Sequence, residues 1–193
     1  MKPIRLLPPL LALLVAATVS AADGSGRPDS FRQGLRPVEP PVPAPDFTLK
    51  DMDGRAYRFS GRNGHVRIVN FWATWCPPCR REMPSMQRAW KQLAPEGVDL
   101  LAVNVGEDED TVFEFMGQYP MDFPVLLDTE GKVVETWPVQ ALPTTFVVDP
   151  EGCIRYRAIG GRDWDDPGIL EKVLALKTAP PVACRQVAGP ESD

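Results

Sequence analysis

Histidine is almost missing from this chain: His65 is the only one, and it stands just before an apolar stretch, in a position that reads as loop. With no histidine set and no methionine-rich run, the sequence lacks the ligands that usually accompany cysteines in a dedicated copper or zinc site. Positive charge is not in excess either. The net charge is −5, with acids and bases mixed along the chain, which leaves no basic surface for a general nucleic-acid partner. Internal repeats are absent, and 193 residues suffice for one compact domain with appendages. Cysteine is scarce: Cys76, Cys79, Cys153 and Cys184 are all there are.

What is present begins with a leader. Lys2 and Arg5 open the chain, an apolar run from Leu6 to Val19 follows, broken by Pro8-Pro9, and Ser20-Ala21-Ala22 supplies small residues suited to cleavage. The run is short for a spanning helix of about 20 residues. Residues 1–22 therefore read as an export signal or a retained N-terminal anchor, either of which places the rest outside the cytoplasm. There thiols can be oxidised and stay so, so four cysteines can form two bridges. Loss of Lys2 and Arg5 would take the charge from −5 to −7. Residues 23–45, rich in Gly, Ser and Pro, read as a spacer ahead of the folded unit.

The domain is expected over 46–177. Phe47-Thr48-Leu49 and Ala56–Phe59 flank an Asp53-Gly54 turn, a hairpin pattern. Val66–Trp72 and Val98–Asn104 read as buried strands, with a helix from Pro77 to Leu93 between them that opens on prolines its first turn tolerates. That order suits a parallel strand–helix–strand unit. A helix over 109–118, an apolar strand at 125–127, a hairpin from Thr145 to Ile159 and a last helix over 165–176 follow. Residues 178–193 lack periodicity and read as a tail. The class is α/β: a mixed sheet with helices on its faces.

The chemistry centres on Cys76-Pro77-Pro78-Cys79. Cysteines three apart on the first turn of a helix are close enough to bridge. Cys76 falls at the helix N-terminus, where unpaired N–H groups and the macrodipole favour a thiolate, the attacking species in disulfide exchange. It is expected to be accessible. Cys79, a turn further in, is expected to be more covered and to resolve a mixed disulfide. A structural bridge here would close too small a loop to stabilise much. Haem attachment is excluded, because Arg80 stands where a histidine would be needed.

From about Pro45 to Leu176 the chain resembles the TlpA/ResA branch of membrane-associated thioredoxin-like proteins. The residues carrying the likeness are Ala44–Leu49, Asn70–Cys79, Val103–Glu107, Phe123–Asp128 and Leu142–Phe146. The resemblance implies a thioredoxin-like mixed sheet with a hairpin addition at its N-terminal side. It implies exchange, chiefly reduction, of disulfides on exported proteins such as apocytochrome c, with re-reduction by a membrane thiol carrier and no cofactor. Pro143 aligns with the family's cis-proline, where the backbone around Leu142 pairs with substrate, and Pro84 with its helix kink. Glu82, three residues after Cys79 and on the same helix face, matches the acid the branch places near its cysteines. Asn70 stands where ordinary thioredoxins carry a buried aspartate, which leaves Glu82 as first candidate for a proton acceptor and Glu107 as second. Trp72 and Trp75 are expected to pack beside the cysteines.

Other readings stay open at this level. The direction of electron flow follows from a potential that no residue pattern supplies. The paired thiolates could hold Cu(I), with Met83 and Met86 nearby in sequence. A peroxidase reading gains from Ala44–Leu49, shared with peroxide-reducing relatives, but Thr74 lies two rather than three positions before Cys76. Cys153 and Cys184 are either unrelated or a bridge pinning the tail to the hairpin.

Overall fold

The computed structural model describes residues 34–185. One eight-stranded sheet organises them, in the order β1-β8-β7-β4-β5-β6-β2-β3. At its centre, β4 (Val66–Trp72) and β5 (Val98–Val105) run parallel, joined by α1 (Pro77–Leu93). β4 is buried along its whole length, as its unbroken β-branched and aromatic run requires when both faces are covered. β6 (Val125–Asp128) extends the parallel part, and β7 (Thr144–Val148) with β8 (Cys153–Ile159) closes the other side antiparallel. The hairpin of β2 (Phe47–Asp51) and β3 (Ala56–Phe59) adds to β6 at one edge.

Alternation along the strands divides the core in two. Ile68, Trp72, Leu100, Ala102 and Val147 face a layer formed by α1, α2 (Glu109–Gln118) and α4 (Pro167–Ala175). Val69, Phe71, Leu101, Val103 and Phe146 face the other side, where Val133 of α3 (Lys132–Thr136) and Trp137 cover them. Helices thus lie on both faces. α3 and the 3-10 turn Ala94–Glu96 are additions that no sequence pattern announced.

The spacer reading needs correction. Within residues 23–45, Arg36–Pro43 form edge strand β1, paired antiparallel with β8, and Leu35 is buried. Four of its eight residues are proline, which would break a central strand. An edge strand pairs on one side only, so N–H groups missing from its outer side cost nothing and discourage further pairing. The folded unit therefore starts near Leu35 rather than Asp46. The expected tail is held as well: Cys184 is bridged to Cys153, and Arg185 N–H donates to Pro41 O at 2.8 Å. The leader 1–22 and the ends of the expected spacer and tail lie outside the described residues. Among the described residues, no helix is long and apolar enough to cross a membrane.

Gly152, in the β7–β8 turn, has φ +88°, and a Cβ there would overlap the backbone of Gly61. Only glycine fits that crossing of two loops.

Candidate active site

The site is built where β4 ends and α1 begins. Cys76 is the N-cap of α1 in extended conformation, Pro77 and Pro78 occupy the first turn, and Cys79 N–H donates to Cys76 Sγ at 3.4 Å. Proline suits this place because first-turn N–H groups have no partner within the helix. Cys76 and Cys79 are joined in a disulfide, with Cα atoms 5.3 Å apart. Cys79 is fully buried, as expected. Cys76 is only 3% exposed, against the expectation of an accessible sulfur, because it is bonded to the fully buried Cys79 and belongs to the core cluster that includes Trp72 and Ala73. The exposed neighbour is Trp75, at 67%.

One turn further along α1, Glu82 carries the local electrostatics. The buried stripe of the helix runs Cys79, Glu82, Met83, Ser85, Met86, Ala89, Leu93, so its 3.6-residue period sends this carboxylate into the core. Glu82 is fully buried, and three N–H donors surround it. Asn70 Nδ2 donates to Oε1 at 2.9 Å, while Arg162 N and Trp164 Nε1 donate to Oε2 at 3.1 and 3.0 Å. Asn70 Nδ2 also lies 2.8 Å from Thr145 Oγ1 on β7. Burial pushes the carboxyl up to about 7, against the opposing pull of those donors and of the Arg162 charge. A carboxyl poised there takes and returns protons near neutral pH.

Glu107 does something else. Its Oε2 accepts from Thr74 N at 2.7 Å and from Asn104 Nδ2 at 2.7 Å, and its Oε1 accepts from the Thr74 hydroxyl. Both oxygens are thereby committed to the loop that delivers Cys76, which makes Glu107 a brace for that loop. Leu142-Pro143 is a cis peptide at the start of β7, with Pro143 buried, Leu142 half-buried, and Gly160 N–H donating to Pro143 O at 2.8 Å. Trp72 is buried under the loop against Phe115, with ring centroids 5.1 Å apart. Met83 and Met86 are core packing, and His65 is an exposed loop residue with Nδ1 3.3 Å from Gly97 O. Among the described residues, no group of three His, Cys, Asp or Glu side chains is arranged to hold a metal ion.

Sequence reasoning missed Thr74, Asn104, Arg162 and Trp164. The first two could not be found before the β4 and β5 ends were juxtaposed. Trp164 had a signal, a lone large aromatic within the charged run Arg162-Asp163-Trp164-Asp165-Asp166.

Comparison with known proteins bears on this geometry. The AhpC/TSA family profile matches residues 41–157. The chain is similar to thiol-disulfide oxidoreductase ResA of Bacillus subtilis (strain 168), 44% identical over 109 residues, which is 56% of this chain and 61% of that relative. The aligned part thus spans about three fifths of that relative's length. ResA of Bacillus thuringiensis (strain Al Hakam) aligns over 174 residues at 32% identity, covering 90% of this chain and 99% of that one. Among solved structures, a thiol:disulfide interchange protein of the thioredoxin family from Chlorobium tepidum TLS superposes with a TM-score of 0.61 at 31% identity, covering 71% of this chain and 99% of its own.

Proposed function

As the chain belongs to the AhpC/TSA family, among its thioredoxin-fold thiol-disulfide oxidoreductases of ResA type, we propose that it reduces disulfides of exported proteins through Cys76 and Cys79, apocytochrome c before haem attachment among them. The single observation that carries this reading is a closed Cys76–Cys79 pair at a helix N-terminus with a buried carboxyl titrating near 7 one turn below it.

In the reduced protein the α1 N-terminus stabilises a Cys76 thiolate. That thiolate attacks one sulfur of a substrate disulfide. The substrate S–S bond breaks, a Cys76–substrate bond forms, and the other substrate sulfur leaves as a thiolate that takes a proton from solvent. Cys79 then gives its proton to the Glu82 carboxylate and attacks Cys76 Sγ. The mixed disulfide opens, the second substrate sulfur leaves as a thiolate, and Glu82 supplies its proton. Two electrons have passed to the substrate, and the protein holds the Cys76–Cys79 bond. A membrane thiol carrier restores the dithiol. The backbone of Leu142, set by the cis bond to Pro143, offers pairing to the substrate strand, and exposed Trp75 offers it an apolar contact.

The apolar run read as a leader in residues 1–22 supports work outside the cytoplasm, with or without an N-terminal anchor, as does the second bridge, Cys153–Cys184, since such bonds persist in oxidising compartments. The test is a Cys79→Ser variant in the native host. It should accumulate mixed disulfides on Cys76 with exported cysteine proteins, apocytochrome c included. An empty trap, or a potential at the strongly oxidising end, would remove the reductase reading.

A further inference from the structure

Two elements supply donors to the Glu82 carboxylate, β4 through Asn70 and the segment 160–164 between β8 and α4, and the second lies far from the cysteine motif in sequence. We propose that Trp164 on this segment is a positioning residue for the dithiol chemistry, its indole N–H fixing Glu82 Oε2 and so setting how readily that carboxyl takes up a proton. The proposal rests on the reading that Glu82 exchanges a proton with Cys79.

The segment is built to hold one position. The Arg162 guanidinium, itself buried, donates to the carbonyls of Ile159 at 2.9 Å, Gly160 at 3.2 Å and Gly161 at 2.9 Å, which closes the chain into a rigid loop. Ser85, three residues after Glu82 on the buried face of α1, clips that loop to the helix. Its hydroxyl lies 2.7 Å from Glu82 O and 3.1 Å from Arg162 O, and it accepts from Trp164 N at 3.1 Å. Trp164 thus enters the core at 1% exposure with its Nε1 fixed 3.0 Å from the carboxylate.

Burial alone does not demand this contact. Trp72 and Trp137 are as deeply placed, and their indole nitrogens have no hydrogen-bond partner among the described residues. A donor spent on a carboxylate favours its ionised form and opposes the desolvation that favours the neutral acid. Of the charged and titratable groups around Glu82, Arg162 comes from the loop, and Cys79 precedes it by three residues on its own helix. β4 and β7 contribute the uncharged Asn70 and Thr145. Trp164 is the neutral donor that a single substitution can delete while keeping an aromatic ring.

Trp164→Phe makes that deletion. In the reduced protein, the Glu82 carboxyl should be followed by carbon NMR across pH, alongside the rate of exchange with oxidised glutathione. The Glu82 midpoint is expected to rise by about one unit, and the pH profile of exchange to move up with it. A midpoint that rises while the exchange profile stays would uphold the assignment to Trp164 and remove Glu82 from the proton transfer. A folded variant with an unchanged midpoint would overturn the proposal. Should Trp164→Phe fail to fold, the wild-type protein decides: the Trp164 Nε1–H resonance must shift with the Glu82 midpoint, and a flat response through that range would overturn it equally.

Discussion

At the scale of a residue, Glu82 couples proton uptake to stability. Its carboxyl is raised from 4.5 to about 7 in the folded protein. Below 4.5 it is protonated in both folded and unfolded chains, and the stabilisation from its raised proton affinity is fully present. Between 4.5 and about 7 the unfolded chain releases the proton and the folded one keeps it, so stability falls as pH rises. Above about 7 both are ionised and the loss is complete, on the order of 3 kcal/mol. Glu82→Gln should abolish this slope. Asn70 Oδ1, buried with no hydrogen-bond partner among the described residues, can turn to accept from the new amide, whose own oxygen stays available to the loop donors. Urea midpoints at pH 5 and pH 8 measure the effect, and a slope that survives the substitution would belong to another group. The carboxyl's place beside Cys79 was readable from the i, i+3 spacing. Its depth was readable only by noticing that it falls within a largely apolar helical stripe.

At the scale of an element, β1 is the strand that composition concealed. Its pairing with β8 is interrupted between Pro37 and Val42, and the bridged tail closes over it through Arg185 N and Pro41 O. The Cys153–Cys184 bond, spanning 31 residues, is therefore the clasp of this edge. Loop-closure entropy makes it worth on the order of 3–4 kcal/mol. A Cys184→Ser variant should lose about that much global stability, and the amides of Val38, Glu39 and Val42 should exchange by local opening, faster than those of β4 and β5, whose protection falls only with the global term. Undiminished protection in β1 would mean that its pairing with β8 suffices. The α1 element contrasts with β1, since its start at Pro77 and end at Leu93 followed from first-turn prolines and the apolar period alone.

At the scale of the whole molecule, the two disulfides sit toward opposite ends of the sheet. Ile159, at the far end of β8 from Cys153, pairs with Thr144 beside Pro143, about 20 Å along the strand. The bonds cannot trade partners within one folded chain. Exposure argues that Cys184, half-buried, is reached before Cys76. Leaving-group chemistry argues the reverse, because a thiolate at the α1 N-terminus departs more easily and opening the other bond forfeits its clasp. The second effect is the larger. Limited reduction followed by alkylation and mass analysis should therefore label Cys76 and Cys79 first and leave Cys153 and Cys184 bridged. The opposite order would show that access governs.

Local chemistry settled much of this protein before any fold existed. A dithiol on a helix start, buried strands flanking it, and a proline ahead of an apolar strand are short-range patterns, and short-range patterns survive in a linear reading. Tertiary structure alone decided that a proline-rich segment is an edge strand, that Glu107 braces Thr74 rather than standing free, and that Trp164 reaches Glu82 from 82 positions away. Those outcomes depend on which strand ends and loops the sheet brings together. Hydrogen bonds form between groups that meet in space, and sequence distance carries no record of the meeting.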